Sequence, residues 1–563
     1  MGIQVDAQLH LVNPIQNTPL VVAVVRSGSR FIKSCHRGIS VLATALALIG
    51  PAAAAERVEF RLGEFERSIK VSDLQDFART GAITPDLSAY LAHLSPSDRA
   101  AFRTALTQSA PIDTLAVSNF LSTPLGNLSL QQLTKVLDQP QAVTEPALAS
   151  ALILGTATSG HLRLLDVLQA YPLPSITVKV PAVTSLVRQL SLQFNLQNDL
   201  YPRLLALDGA ASPANPAASN AFAAFSKPGT QPYRAKPLTF QPPSGGPVVS
   251  AIVLLPAAGK KAPLVVLAPG LNTDFNALLY VGRHLASHGF AVATLNFPFT
   301  SADEISAELK GLAAIPDPNA WIAQPTTVSA LIDVVGSRWG RSVDTTHVGV
   351  LGQSLGGYTV LALGGARLDW PALQKGCQAL ADPNQLVLNP AVVWQCQAPT
   401  ENASTANFTD RRVRAVVAVN PVTTPIFSSA SLQSLHTPVL MIAGTDDFFA
   451  PPLSQQFKIF TAFHQNDHIL GILNHGTHLS FLAGTGKLPS VITGPDRKLA
   501  QKELRGLALA FFDCHLRGAT GIQQLVPPAN GVVVGQEPLE LLLRRQLNPA
   551  QLQKVAPGAR NLL

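Results

Sequence analysis

A serine hydroxyl can open a carbonyl group once a neighbouring base takes its proton, and the base is usually a histidine oriented by a carboxylate. In this sequence Ser354 stands at the centre of Gly352-Gln353-Ser354-Leu355-Gly356, a G-x-S-x-G pattern. Glycines two residues before and two after such a serine let a strand and a helix approach closely, with the serine on the strained turn between them. The five letters alone also fit an ordinary strand-to-helix turn. What strengthens them here is their context: an apolar, β-branched run, Val348-Gly349-Val350-Leu351, precedes them. A helix-compatible run, Tyr358-Thr359-Val360-Leu361-Ala362-Leu363, follows.

The remaining parts of such a site should follow the serine in the order acid, then histidine, each at the end of a strand. Gly444-Thr445-Asp446-Asp447 follows the apolar run at 438–442, and Asn474-His475-Gly476-Thr477-His478 follows the apolar run at 469–473. The residue types leave Asp446 and Asp447 open as the acid. Of the two histidines, His478 lies past Gly476 in the loop and is the better base. His475 remains the alternative, while His436, His464 and His468 read as structural. A tetrahedral oxyanion needs two backbone donors. One is the N–H of Leu355, directly after the serine. The other belongs to the loop Pro269-Gly270-Leu271-Asn272-Thr273, where Gly270 lets the backbone turn inward and Leu271 is the expected donor.

The elements that must position these residues alternate along the chain. Apolar runs at 248–255, 264–268, 290–295, 347–351, 415–419, 438–442 and 469–473 read as strands. Helical patterns fall at 280–288, 326–335, 454–463 and 498–516. Near-continuous apolar strands between helices predict an α/β fold with a mostly parallel sheet covered on both faces, and ligands at the carboxyl ends of its strands. This domain spans 247–520. An insertion at 366–412, carrying Trp370, Trp394 and Phe408, interrupts the rhythm and suits a cap over the site. Its tryptophans either touch an apolar substrate or hold the insertion together. Before it, 56–205 reads as a mainly helical domain that opens with a hairpin. Ser72 with Gln75, Asp113, Ser129 and Thr144 are the expected helix starts, with Pro96 in a first turn and Gly81 as a stop. Residues 206–246, rich in Pro, Ala and Ser, read as a linker, and 521–563 as a tail.

At 563 residues, with 47% hydrophobic and 13% charged side chains, the chain can bury a large core in more than one domain. The formal charge of +7 is scattered, without a basic stripe, which argues against nucleic acid as a partner. Arg30, Lys33 and Arg37, an apolar run at 39–49, Gly50-Pro51 and then four alanines read as a secretory leader over 1–55, cleaved after Ala55. Export permits disulfides. Cys377 and Cys396 lie close together within the insertion and are paired, leaving Cys514 as a buried thiol. No cluster has metal-ligand spacing, and neither a metal nor a cofactor is expected.

Taken together, these motifs resemble the α/β-hydrolase superfamily, in particular the esterases related to platelet-activating-factor acetylhydrolase and dienelactone hydrolase. The residues that carry the likeness are Gly352 to Gly357, Pro269-Gly270-Leu271, Gly444-Thr445-Asp446-Asp447-x-x-x-Pro451 and Gly476-Thr477-His478. The resemblance implies Asp447 as the acid and His478 as the base, with Asp446 stabilising the turn. It departs from the pattern at Ala268, where Ser-His-Gly is common around this loop, and at Gln353, where His is common. The segment Ala55-Glu56-Arg57-Val58-Glu59-Phe60-Arg61-Leu62-Gly63 is similar to exported cyanobacterial hydrolases of unassigned substrate. What the resemblance implies is an exported serine hydrolase acting on lipid-like or short acyl esters, with a small-molecule or lipid ester as its partner and peripheral membrane contact left open. A non-catalytic binding protein on the same fold is the other class, and thioester, peptide or polyester cleavage stays open because fold does not fix substrate.

Overall fold

The computed structural model describes residues 54–557 apart from 63–64, 93–95, 108, 111, 123, 184, 186–198, 208–215, 243–245, 258–260, 304–318, 388, 399–406, 434, 464–466, 485–489 and 527–530. The leader read over 1–55 falls outside these residues except for its last two. Residues 55–563 form one compact unit.

The unit opens with β1 (Arg57–Leu62) and β2 (Phe65–Lys70), an antiparallel hairpin. Two short strands, β3 (Ser109–Ala110) and β4 (Leu162–Arg163), pair with each other, and β5 (Ser175–Lys179) adds to β1 in parallel. Helices fill the space between these strands, the longest being Gln141–Ser159. Several helix starts differ from the sequence expectation. The first helix, Val71–Thr80, begins before Ser72 and has no side-chain cap, because the chain turns directly out of β2 into the helix. Ser129 and Thr144 lie inside the helices Pro124–Thr134 and Gln141–Ser159. Thr144 bonds back to the Pro140 carbonyl instead of capping. The stop at Gly81 (φ 79°) and the start at Pro96 lie as the sequence suggests.

A ten-stranded sheet forms the rest of the core. Its strands are β6 (Tyr233–Phe240), β7 (Val249–Pro256), β8 (Ala262–Ala268), β9 (Ala291–Leu295), β10 (Val343–Gln353), β11 (Val413–Val419), β12 (Val439–Gly444), β13 (Ile469–Leu473), β14 (Val532–Gln536) and β15 (Leu539–Arg544). They lie in the order β14-β15-β13-β12-β11-β10-β8-β9-β7-β6. The strands from β9 across to β13 are parallel; β6, β7 and β15 run antiparallel to the neighbours from which they extend the sheet. Side chains alternate between two apolar layers. Leu264 and Val266 of β8 face one layer with Trp321 and Tyr358, whereas Val265 and Leu267 face the other with Leu278 and Phe512. The helices Ala320–Trp339 and Leu355–Gly364 cover the first face, and Asn276–Ser287 and Arg497–Arg517 the second.

Two segments are more ordered than their composition suggests. Within 206–246 lie a helix, Pro216–Phe225, and β6, the sheet's edge strand. Within 521–563, β14 and β15 continue the sheet, because Val532, Val534, Leu541 and Leu543 supply the buried face that a tail would not need. The helical part also grips the insertion at 366–412. Lys135 Nζ donates to the carbonyls of Leu380 at 2.7 Å and Gln385 at 2.8 Å, and Gln132 Nε2 donates to Leu380 at 3.0 Å. The Leu380 carbonyl lies in the last turn of the insertion helix Trp370–Ala381, where the helix itself leaves it open, and that of Gln385 lies just beyond the helix. Burial holds the Lys135 ammonium below its usual pKa.

Candidate active site

Ser354 directly follows β10 with φ 57° and ψ −117°, a backbone conformation that L-residues rarely adopt. The close packing that forces it can be read from the flanking glycines. A Cβ on Gly352 would lie 2.1 Å from the Gly356 carbonyl oxygen, and one on Gly356 would lie 2.0 Å from that of Ala268. The Ser354 N–H donates to Val419 O of β11, and its carbonyl accepts from Tyr358 and Val422, so the turn is tied to both neighbours. Leu355 then opens a ten-residue helix that is buried along its whole length.

The acid and base lie at the ends of β12 and β13. His478 Nδ1 is 2.7 Å from Asp447 Oδ2, and the other carboxylate oxygen accepts the Ala450 N–H at 2.7 Å. Asp447 is fully buried and His478 nearly so. Gln353 Nε2 donates to the His478 carbonyl at 3.1 Å, which fastens the histidine loop to the residue before Ser354. Asn420, at φ 42° and fully buried, adds a second fastening. Its Nδ2 donates to Thr477 O, and its Oδ1 accepts the Gly444 N–H. Thus Ser354, Asp447 and His478 are drawn to one end of three strands. The alternatives, Asp446 and His475, form a separate and more exposed pair, Nδ1 to Oδ2 at 3.3 Å. Asp446 therefore contacts His475 and Thr445 Oγ1, which is more than the turn-stabilising part expected of it.

The two expected oxyanion donors flank the same turn. A Cβ on Gly270 would meet Gln353 Oε1 at 2.6 Å and Ser354 Cβ at 3.1 Å, so the loop carrying Leu271 lies against the serine. Among the described residues, the N–H groups of Leu271 and Leu355 have no acceptor. The loop is held by the Asn272 N–H bonded to Thr300 O and by Thr273 Oγ1 bonded to Gly270 O. From Thr300 a fully buried polar chain runs back to the elbow helix. Gln324 Nε2 donates to Thr300 Oγ1 at 2.9 Å, and Thr359 Oγ1 lies 2.7 Å from Gln324 Oε1 and 3.0 Å from Leu355 O. The sequence reading missed Asn420, Thr300, Gln324 and Thr359. Their one signal was a polar residue inside or directly after an apolar run.

The expected disulfide, Cys377–Cys396, is present with Cα atoms 5.5 Å apart, and joins the insertion helices Trp370–Ala381 and Pro390–Gln395. Cys514 is a buried free thiol, and burial pushes its pKa up. Trp370 and Trp394 do not face solvent. They are 3% and 6% exposed and belong to the core, with Trp394 6.2 Å from Trp321, so of the two readings they hold the insertion together. His468 is buried, accepts the Val439 N–H and is held at a pKa of about 4 by desolvation, in keeping with its structural reading. Among the described residues no group of His, Cys, Asp and Glu side chains could hold a metal ion, and no helix is long and apolar enough to cross a membrane.

Residues 54–179 match the model of a family described as an alpha/beta hydrolase of unknown function (DUF1400). The match spans the helical part and ends before the ten-stranded sheet begins. None of the curated proteins matches the chain. The sheet order and the family match together assign the chain the α/β-hydrolase fold, preceded by a small, mainly helical domain.

Proposed function

We propose that the protein is a serine hydrolase that cleaves carboxylic esters through an acyl-enzyme. The observation that carries this reading is the buried Asp447–His478 pair fastened through Gln353 to the strained turn of Ser354. With Nδ1 committed to Asp447, Nε2 of His478 is the nitrogen left to take the serine proton. Ser354 Oγ then bonds to the ester carbonyl carbon, and the oxyanion is met by the N–H groups of Leu271 and Leu355. As the tetrahedral intermediate collapses, His478 returns the proton to the departing alcohol oxygen. Water, deprotonated by the same histidine, releases the acid and restores the serine.

The likeness to acetylhydrolase-like and dienelactone-hydrolase-like esterases supports lipid-like or short acyl esters as substrates, and the leader supports export to the periplasm or medium. The test is Ser354→Ala assayed on short p-nitrophenyl esters. Loss of turnover with an unchanged melting temperature is expected, and full retained activity would refute the assignment. An ester panel varied in acyl length then defines the substrate.

A further inference from the structure

Asp447 is followed by Phe448 and Phe449, and both rings are held out from the protein. Asp447 Oδ1 accepts the N–H of Ala450, three residues on. Ala450 is itself fully buried. The two phenylalanines therefore form the crest of a tight turn whose ends are both anchored in the core. Phe448 is 44% exposed and Phe449 47%. Among the described residues from 233 onward, the only other large apolar side chain so exposed is Val248. The Phe449 ring centroid lies 5.5 Å from that of His478, and the Phe448 ring meets Phe449 edge-on at 6.3 Å. Two exposed rings are thus concentrated beside the imidazole, on a turn whose shape is set by the same carboxylate that orients it.

The side of the substrate they meet follows from the chemistry proposed above, on which this inference rests. An ester has two arms, the acyl group and the alcohol. The imidazole that takes the serine proton must return it to the alcohol oxygen, so the alcohol arm leaves past His478. The carbonyl oxygen points the other way, toward Leu271 and Leu355. We propose that Phe448 and Phe449 form the contact surface for the alcohol arm, and that the enzyme prefers esters of apolar alcohols, alkyl or aromatic. The occupant is the leaving group because the rings are continuous with the imidazole that serves it, and stacking on a phenyl face suits an alkyl chain or an aryl ring.

The test separates the two arms. One series holds the acyl group as acetyl and lengthens the alcohol from ethyl to octyl. The other holds the alcohol as methyl and lengthens the acyl group from acetyl to octanoyl. Each variant is scored by the ratio of kcat/KM within a series, which does not depend on the fraction of folded protein. In Phe449→Ala and in Phe448→Ala/Phe449→Ala, the octyl-to-ethyl ratio is expected to fall roughly tenfold, with the octanoyl-to-acetyl ratio unchanged. Phe449→Leu, which keeps an apolar side chain, should restore most of the alcohol preference. A fall confined to the acyl series, equal falls in both, or no change in either would overturn the inference. Ser354→Ala in the same panel separates this from the underlying reading: if it abolishes turnover while the ratios stay fixed, only the alcohol-arm inference fails.

Discussion

Two aspartate–histidine pairs sit side by side where β12 and β13 end, and their differences show how a site is selected from equivalent chemistry. Asp446 meets His475 at 3.3 Å with both side chains open to solvent, whereas Asp447 meets His478 at 2.7 Å with the carboxylate fully buried. The outer pair stitches the two loops: the Asp446 N–H bonds to Gly476 O and the His475 N–H to Thr445 Oγ1. The inner pair is itself stitched, by Ala450, Gln353 and Asn420. An exposed ion pair contributes little, because water competes for both partners. What distinguishes the inner pair is the set of neighbours that leaves it one arrangement.

Exchanging single members of the two pairs tests this most directly. His478→Ala and Asp447→Asn should each lower kcat by about 10³–10⁴-fold, while His475→Ala retains most of the activity, measured as p-nitrophenyl ester turnover. Comparable losses from both histidines would break the distinction. Asn420→Ala leaves the inner pair intact but removes its fastening to the histidine loop. A fall in kcat of roughly 10–100-fold with little change in KM is expected, since a misplaced base costs rate more than binding.

Glu503 supplies a third carboxyl for comparison, buried like Asp447 but with neither oxygen bonded among the described residues. Burial pushes its pKa up to about 7. A raised carboxyl pKa makes the folded state hold a proton that the unfolded chain releases. Its contribution to stability is therefore full below the ordinary value of 4.5 and is lost as pH rises through about 7. Glu503→Gln should stabilise the protein at pH 8 by about 2–3 kcal/mol and do nothing at pH 4, as read by urea unfolding at the two pH values. The smallest effect belongs to the outer pair. Asp446→Asn should change kcat/KM by no more than about threefold, and that change should shrink further in 1 M salt.

The strands of the parallel sheet were legible because β8, β11, β12 and β13 and the second half of β10 are near-continuous apolar runs, and β13 even has the bounds expected. Ser354 is the first chemically able residue beyond such a run, but Asp446 and His475 come before Asp447 and His478, so the choice of the inner pair rested on the family resemblance and on the place of His478 past Gly476. The fastening residues were not legible. Gln324 and Thr359 lie in helices and look from sequence like any polar residue on a helix surface. Only the three-dimensional approach of Thr300 makes them a buried chain. Gln353 was noted as a departure from a family pattern, and its bond to the His478 carbonyl gives that departure a purpose. Trp370 and Trp394 could be read two ways because aromatic side chains serve both cores and surfaces. β14 and β15 were hidden because two short strands after a long helix give little periodicity.

The grip of Lys135 and Gln132 on the insertion bears on modularity. These side chains reach across about 250 positions of sequence, both donating to the Leu380 carbonyl in the last turn of the helix, Lys135 also to the Gln385 carbonyl beyond it, while Gln132 Oε1 accepts the Val387 N–H. The family match ends at residue 179, so it includes both grips but not the helix they hold. A chain cut or recombined at the domain boundary would keep the strand order and the elbow. It would lose the anchorage of the insertion, and with it the helical part's link through Cys377–Cys396 and Gln395 to the loop after β11. The helical part is in this sense a fitted component, exchangeable only together with the insertion it secures.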